Sequence, residues 1–185
     1  RRDFTFNSMA VDVARRLMYD PFNGLNDLNS RTVRAVGDAG LRCEEDALRI
    51  LRAYRFMRRD EGPLWTMEAS LHSAVVNHSG RLNMVAIERR WMELQKIMSG
   101  LRPGAVLERM QEDGVLRFVF TNMAVVNPEL FQILDLATLN KTTLQQRLAL
   151  LMCEHETKAV VSQLQALRTS KELQRTTALF HEQLG

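Results

Sequence analysis

Apolar residues recur at helical spacing along most of the chain after residue 38, and turn residues interrupt the pattern. Positions three and four apart share a helix face, so each such stretch predicts an amphipathic helix. The interruptions include Gly62-Pro63, Gly100 and Asn127-Pro128, which are typical of helix ends. The pattern predicts helices over residues 39–59, 67–78, 84–99, 104–112, 128–139, 142–155 and 158–184.

Two of these helices carry a predicted cap and one a predicted core stripe. Thr66 is the expected N-cap of the helix over 67–78, and Asn83 that of the helix over 84–99, because short polar side chains accept from the free N–H groups of a first turn. In the second helix the expected core positions are Met84, Ile87, Trp91, Leu94 and Met98.

The first 37 residues follow a different pattern. Residues 16–19 and 31–36 are predicted strands, and the cluster Asp20-Pro21-Phe22-Asn23-Gly24 is a predicted turn between them. Asp3 is a predicted N-cap for a short helix over residues 4–10. The fold class is therefore mainly α, with a small α/β region that leads into an all-helical remainder.

The helix over 39–59 carries arginine at every third position after a carboxylate. Its predicted core face holds Ala47, Ile50, Leu51 and Tyr54, while Asp46, Arg49, Arg52 and Arg55 form one diagonal stripe. A solvated face would pair its charges differently, so the stripe indicates a negatively charged neighbour. Pairing of these arginines with acids of the first 37 residues, such as Asp3 or Asp20, is the structural alternative.

The positive charge of the chain is concentrated in its first third. Residues 1–60 hold 12 arginines, no lysine and 9 acids, whereas residues 61–185 hold 13 basic and 13 acidic residues. Guanidinium groups suit bidentate recognition of phosphate or base edges. This distribution favours a nucleotide or nucleic-acid partner.

Other classes of protein receive little support. No run approaches the roughly 18–20 apolar residues of a membrane span, so no membrane is expected. Cys43 and Cys153 lie far apart, which favours a reducing compartment and hence the cytoplasm. The four histidines lack ligand spacing, so no metal ligand is predicted in this chain. The acidic pair Glu112-Asp113 is predicted to be helix charge. The basic pairs Arg58-Arg59 and Arg89-Arg90 are predicted to form either a solvated face or a contact with the RNA backbone.

Asp46 and Arg49 offer a sharper chemical possibility. A carboxylate accepts hydrogen bonds and a guanidinium donates them, so side by side they present an acceptor next to a donor. Cytosine and adenine show an amino donor beside a ring-nitrogen acceptor, whereas uracil and guanine show a carbonyl there. The pair would therefore bind C and A and reject U and G through unpaired polar groups, and Arg52 and Arg55 would reach a triphosphate.

Several stretches resemble the tRNA nucleotidyltransferase / poly(A) polymerase family, in particular its bacterial-type CCA-adding branch. They are RRDFTFNSMA at 1–10, YDPFNGLNDL at 19–28, SRTVRAVGD at 30–38, EEDALRILRAYRF at 44–56 and, more faintly, VAIERRWMELQKIM at 85–98. The resemblance covers about the first 100 residues and implies three parts: the end of a nucleotidyltransferase head with its recognition helix (1–60), neck helices (61–100) and an RNA-binding helical body or tail (101–185).

The resemblance also implies residue roles and partners. Asp46 and Arg49 would read the incoming C or A, Arg52 and Arg55 would hold its phosphates, Arg2 would contribute to the same pocket, and Asp3 and Asn7 would order it near the ribose. Glu45 is given a structural role. The implied partners are CTP and/or ATP and tRNA, and the implied cofactor is Mg²⁺.

The family's metal-binding carboxylates precede the segment that resembles RRDFTFNSMA, and no Asp-x-Asp occurs in the sequence. The chain is therefore expected to select a nucleotide but to be inactive alone, with the missing head segment in the rest of a longer protein or in a second chain.

Three functions follow from these observations. The first is a template-independent RNA nucleotidyltransferase that adds C and/or A to the tRNA 3′ end. The second is a bacterial poly(A) polymerase of the same fold, and the third is a helical RNA-binding module without catalysis. Whether C, A or both are added, and the oligomeric state, stay open at this level.

Overall fold

The computed structural model describes residues 2–59, 62–120 and 126–184, and in these ranges the chain is mainly α-helical, as predicted. The helices are α1 (Gly24–Asn29), α2 (Ala39–Glu45), α3 (Leu48–Phe56), α4 (Ala69–His78), α5 (Ile87–Met98), α6 (Pro103–Glu112), α7 (Pro128–Leu139), α8 (Leu144–Leu151), α9 (Thr157–Ala166) and α10 (Lys171–Glu182). Short 3₁₀ turns cover Thr5–Asn7, Ser79–Met84 and Leu116–Phe118.

Two small strand pairs accompany these helices. Strands β1 (Ala10–Asp12) and β2 (Leu17–Tyr19) form an antiparallel hairpin, whereas β3 (Thr32–Val33) pairs in parallel with β4 (Thr66–Met67). The predicted strands at 16–19 and 31–36 are therefore present in shortened form. The predicted helix over 4–10 is wrong: a single 3₁₀ turn is followed by β1, and Asp3 caps no helix because its carboxylate binds arginines of α3.

The predicted continuous helix over 39–59 is two helices, because the chain leaves helical geometry at Asp46 (φ −151°, ψ 100°). The Asp46 carboxylate accepts the Leu48 N–H at 3.2 Å, an example of a short acidic side chain competing with the helix for backbone donors. The core face of α3 is nevertheless as predicted, since Ile50, Leu51 and Tyr54 are fully buried.

Two other predicted caps lie elsewhere. Thr66 belongs to β4, and Glu68 instead caps α4 by accepting from the N–H groups of Ser70 and Leu71. Asn83 lies in a 3₁₀ turn, so α5 begins only at Ile87, and Met84 is 80% exposed rather than part of the core. The predicted helix over 158–184 is divided into α9 and α10, with Ser170 as the cap of α10.

One hydrophobic core runs through the described residues, from Phe4 and Phe6 past Leu51 and Leu107 to Leu164. Helix α3 packs against α5, α6 against α7, and α8 against α10. This packing fixes α3 between the N-terminal segment and α5, and it thereby sets the neighbours of the arginine stripe. Across the described ranges, no helix is both long and apolar enough to cross a membrane.

Candidate functional site

The centre of the candidate site is a buried carboxylate that holds two arginines of α3. Asp3 is 8% exposed; its Oδ1 accepts from Arg49 Nε at 3.0 Å, and its Oδ2 lies 2.6 Å from Arg52 Nη2. The Val36 N–H donates to the Asp3 carbonyl at 3.0 Å, which pins this segment beside β3. The arginines therefore do pair with Asp3, the structural alternative for the stripe, whereas Asp20 caps α1 through Gly24 and Leu25.

Glu45 adds a second carboxylate to the same arginine. Arg49 Nη1 donates to Glu45 Oε2 at 3.0 Å and to the Arg42 carbonyl at 2.6 Å. Burial lowers the pKa of the Arg49 guanidinium, but the hydrogen bonds and charges of Asp3 and Glu45 outweigh it and raise that pKa overall. The structural role expected for Glu45 agrees with these contacts, and the Arg49 guanidinium is fixed in one orientation.

Arg42, which the sequence did not single out, completes this part of the site. It is buried, donates through Nη1 to Glu45 Oε2 at 2.5 Å, and donates through Nη2 to the Arg2 carbonyl at 2.9 Å. Its position within α2 carries no motif signal, so only the folded backbone shows that it ties α2 to the N-terminal segment.

Arg55 faces α5 at the far end of the stripe. Its Nη1 lies 2.9 Å from Glu93 Oε2, and Lys96 Nζ donates to Glu93 Oε1 at 2.8 Å. Burial lowers the pKa of Arg55, and the Glu93 charge opposes that shift. Glu93 is 5% exposed, and its helical position gave no sign in the sequence that it would pair with α3.

Asp46 and Arg49 have different partners in this structure. The Asp46 carboxylate lies against Arg89 of α5, whose Nη2 is 3.3 Å from Oδ2 and 3.5 Å from Oδ1. The break between α2 and α3 turns Asp46 towards α5, so the side-by-side frame expected from a continuous helix is not formed. Arg89 is thus a further residue of the site, and apart from the basic pair Arg89-Arg90 the sequence carries no sign of its contact with Asp46.

Arg2 and Asn7 lie at the edge of the arginine cluster. Arg2 lines a cavity of about 460 Å³ whose other lining residues include Phe22, Leu41, Arg42 and Glu45. Asn7 ends the first 3₁₀ turn, where its N–H donates to the Phe4 carbonyl. This cavity adjoins the residues that hold Arg49.

Arg42, Arg49, Arg52 and Arg55 face Asp3, Glu45 and Glu93, which leaves an excess of positive charge at the site. Arg52 Nε is a buried donor without a hydrogen-bond acceptor in the described part of the chain. A fixed array of guanidinium groups with an excess of positive charge is suited to an anionic ligand such as a phosphate.

The other basic pairs have structural partners. Arg90 is buried and donates to the Phe118 carbonyl at 2.6 Å, and the Arg59 guanidinium lies over the rings of Phe6 and Trp65 at 4.7 and 5.3 Å. These arginines are therefore not part of a purely solvated face.

Asp113 also differs from its expectation, because it is the centre of a polar cluster rather than a helix charge. Its side chain accepts from Tyr54 Oη at 2.7 Å and from Arg109 Nε at 3.0 Å, and it contacts His72 Nε2 at 2.9 Å. Within residues 2–59, 62–120 and 126–184, no group of three or more His, Cys, Asp or Glu side chains is arranged to hold a metal ion.

Comparison with known proteins extends these observations. Residues 1–34 match the family model "Poly A polymerase head domain", and residues 66–130 match "Probable RNA and SrmB- binding site of polymerase A". Together the two models match more than half of the chain, in the order that the resembling motifs require. The chain belongs to the tRNA nucleotidyltransferase / poly(A) polymerase family.

Individual members of the tRNA nucleotidyltransferase / poly(A) polymerase family give the same result. The chain is 37% identical over 126 residues to the Multifunctional CCA protein of Xanthomonas campestris pv. campestris, covering 66% of this chain and 30% of that protein. It is 40% identical over 118 residues to the mitochondrial CCA tRNA nucleotidyltransferase 1 of Danio rerio, covering 64% of this chain and 27% of that one. The chain thus spans about a third of the relatives' length or less.

The fold is also that of a solved family structure. The crystal structure of the Bacillus stearothermophilus CCA-adding enzyme in complex with CTP superimposes with a TM-score of 0.83 at 25% identity. The match covers 99% of this chain and 45% of that one. The helical region beyond residue 100, which showed no motif in the sequence, is thus included in the shared fold.

Proposed function

We propose that this chain supplies nucleotide selection and tRNA binding to a template-independent RNA nucleotidyltransferase that adds C and/or A to the tRNA 3′ end. The observation that carries the proposal is the array of Arg49, Arg52 and Arg55, fixed by buried carboxylates beside Asp46, in a chain of this family. Relatives named as CCA-adding enzymes, one of them solved in complex with CTP, support CTP and/or ATP and tRNA as the partners.

In this proposal, different side chains bind the base and the phosphates of the nucleotide. Asp46 accepts from the base amino group, and Arg49 donates to the adjacent ring nitrogen, so C and A are bound while U and G are left with unpaired acceptors. Arg52 and Arg55 hold the triphosphate; their side chains are 33% and 21% exposed. Binding requires a rearrangement, because Asp46 contacts Arg89 and does not lie side by side with Arg49 in this structure.

The remaining assigned residues shape the pocket. Asp3 keeps Arg49 and Arg52 in one orientation, so these two side chains lose little conformational entropy when the nucleotide binds. Arg2 and Asn7 border the pocket on the ribose and phosphate side.

Mg²⁺ is the cofactor expected of the family, and the described residues of this chain hold no group of three or more His, Cys, Asp or Glu side chains arranged for a metal ion. We assign no step of the reaction to a metal held here. In the proposed division, residues 1–60 complete a head and select the nucleotide, 61–100 form the neck, and 101–185 bind RNA, all in the cytoplasm.

A bacterial poly(A) polymerase is the second candidate, and it is favoured by the descriptions of both matched family models. Asp46 and Arg49 serve it equally well, because adenine presents the same donor and acceptor as cytosine. Incorporation by the full-length protein on tRNA that lacks A, CA or CCA would identify this alternative, if A is added repeatedly rather than a CCA end completed.

Isothermal titration calorimetry with CTP, ATP, UTP and GTP tests the proposal. We expect CTP or ATP to bind, UTP and GTP to bind at least about tenfold more weakly, and the preference to disappear in Asp46→Asn and Arg49→Lys. Asp12→Asn and Arg15→Lys are the matched controls, because that pair lies exposed at the hairpin. Equal binding of all four nucleotides would contradict side-chain selection, and RNA binding without nucleotide binding would leave only the helical RNA-binding module.

A further inference from the structure

A second cavity, of about 690 Å³, lies away from the arginine cluster, where β3 and β4 meet α4 and α6. Its volume is within the range of small-ligand sites. One wall is apolar and the mouth is polar. The wall consists of Met57, Leu64, Trp65 and Met67, and the polar residues are Thr32, Thr66, Glu68, His72 and Arg109.

The polar side of this cavity is built on the Asp113 carboxylate, whose side chain is only 7% exposed. Asp113 Oδ2 accepts from Tyr54 and Arg109, and Asp113 Oδ1 contacts His72. The three partners come from α3, α4 and α6, so the cluster fixes His72 and Arg109 at the cavity mouth. The proposed nucleotide selection makes no use of any of these groups.

His72 Nε2 lies between the Asp113 carboxylate and the Arg109 guanidinium, and it cannot hydrogen-bond to both at once. It lies 2.9 Å from Asp113 Oδ1 and 2.8 Å from Arg109 Nη2. A buried carboxylate only accepts and a guanidinium only donates, so we assign the Nε2 proton to the bond with Asp113. Arg109 Nη2 then faces another N–H group and obtains no acceptor from the imidazole.

The other nitrogens of Arg109 are Nε and Nη1, and only Nε is hydrogen-bonded to a carboxylate. Nε is bound to Asp113, whereas Nη1 lies 3.7 Å from the exposed Glu112 carboxylate, too far for a hydrogen bond. A guanidinium positioned by Asp113 thus lines a cavity with an apolar wall, and the hydrogen bonds described for it leave its two terminal nitrogens without a carboxylate acceptor. This combination matches a ligand with an anionic group attached to a flat, largely apolar body.

We propose that this cavity binds one nucleotide unit of RNA, with its phosphate on Arg109 and its base and ribose against the apolar wall. The proposal rests on the proposed function, in which RNA is the phosphate-bearing partner. A free nucleoside monophosphate has the same chemistry and is the other possible source.

Glu68 limits where the phosphate can lie. Its carboxylate accepts from the N–H groups of Ser70 and Leu71 and lies 3.7 Å from Arg34, and the hydrogen bond from Ser70, outweighing burial, lowers its pKa. Glu68 therefore stays charged and disfavours an anion at its end of the cavity. The phosphate is directed to the Arg109 end.

The test measures RNA affinity of the full chain by fluorescence anisotropy, with a labelled tRNA transcript that lacks its 3′ CCA, at several salt concentrations. Arg109→Gln is expected to weaken binding about tenfold and to reduce the slope of log affinity against log salt by about one. Thr66→Phe fills the cavity mouth but leaves Asp113, His72 and Arg109 in place, and it is expected to weaken binding similarly. Arg117→Gln, at an exposed site outside the cavity, is the charge-matched control.

The outcomes separate the possibilities. Full RNA affinity in Thr66→Phe would overturn the proposal even if Arg109→Gln misfolds. An equal loss of RNA affinity in Arg117→Gln would also contradict it, because the loss would then come from the net charge of the chain and not from the cavity. Displacement of the RNA by millimolar AMP or CMP from the unmodified chain, but not from Thr66→Phe, would show that a free nucleotide occupies the cavity. CTP calorimetry on the same variants reports on the Asp46 site, so failure of nucleotide selection and failure of this cavity are distinguished.

Discussion

Arg49 Nε donates to Asp3 Oδ1 at 3.0 Å, and this bond joins α3 to a segment 46 positions earlier in the chain. Arg52 contacts the other oxygen of the same carboxylate at 2.6 Å. One buried acid therefore orients two of the arginines that we assign to the nucleotide, and its loss should affect stability and binding together.

We expect Asp3→Asn to lower the free energy of unfolding by about 2–3 kcal/mol, since it leaves Arg49 and Arg52 without their shared carboxylate. Partial exposure of Arg52 keeps the loss from being larger. Urea unfolding gives the value, and Asp12→Asn in the exposed hairpin is the control, with a change of about 0.5 kcal/mol or less. Equal stability of the two variants would show that Asp3 is not an anchor.

Arg89 should compete with the base for Asp46. The pair is exposed, so its net value is about 0.2–1 kcal/mol, and we expect Arg89→Gln to leave stability almost unchanged while raising CTP affinity about two- to fivefold. Titration calorimetry measures the change, with Arg81→Gln on the same face as the control. A fall in CTP affinity would mean that Arg89 instead holds Asp46 in its reading orientation.

Tyr54→Phe removes one hydrogen bond to the buried Asp113 carboxylate. We expect a loss of about 1–2 kcal/mol in the free energy of unfolding, because a buried acceptor loses a donor while the ring still fills its place. Thermal or urea unfolding checks the value. Tyr19→Phe, at a half-exposed strand position, should change stability by only about 0.5 kcal/mol or less.

The same cluster predicts a dependence of stability on pH. Burial acts to raise the pKa of Asp113, but the hydrogen bonds from His72, Tyr54 and Arg109 outweigh it and lower that pKa overall. A carboxylate with a lowered folded-state pKa stabilises the fold above the unfolded value of about 4, and this contribution is lost as the pH falls through the folded pKa.

The advantage of the unmodified chain over Asp113→Asn should therefore be full at pH 6 to 7 and shrink as the pH falls below about 4. Urea unfolding at a series of pH values measures it. A difference that stays constant over this range would show that the Asp113 charge contributes nothing.

Gly104 allows α6 and α7 to approach each other closely. A Cβ at this position would lie 1.8 Å from the Phe131 carbonyl oxygen, and the Gly104 N–H donates to Asp135 at 2.7 Å. We expect Gly104→Ala to destabilise the chain by about 3 kcal/mol, since the backbone of α7 would have to shift. Gly80→Ala is the matched control: nothing lies within 4 Å of its Cβ position, and its stability should be unchanged or slightly higher.

Much of the fold was predictable because helical periodicity is a local property. The buried face of α3 and the bounds of α7 follow directly from the spacing of apolar residues. The motifs between residues 1 and 56 were sufficient for the family, since their residue types and order are features of the chain itself. The arginine stripe was visible for the same reason.

Two of the errors share one physical cause, which is that side chains bind partners far away in the sequence. Asp3 is predicted to cap a helix and instead binds α3, and Asp113 is predicted to be a helix charge and instead contacts Tyr54 of α3 and His72 of α4. Burial makes such carboxylates take every available donor, and the donors come together only after the helices pack.

The sequence by itself determined that this chain is mainly α-helical, to which family it belongs, and that Asp46, Arg49, Arg52 and Arg55 are its nucleotide-selecting candidates. Only the tertiary structure decided how these residues are held: Arg49 and Arg52 by Asp3, Arg55 by Glu93, and Asp46 by Arg89. The spacing of residues along a helix fixes which side chains share a face, whereas the packing of distant segments fixes which charges meet them.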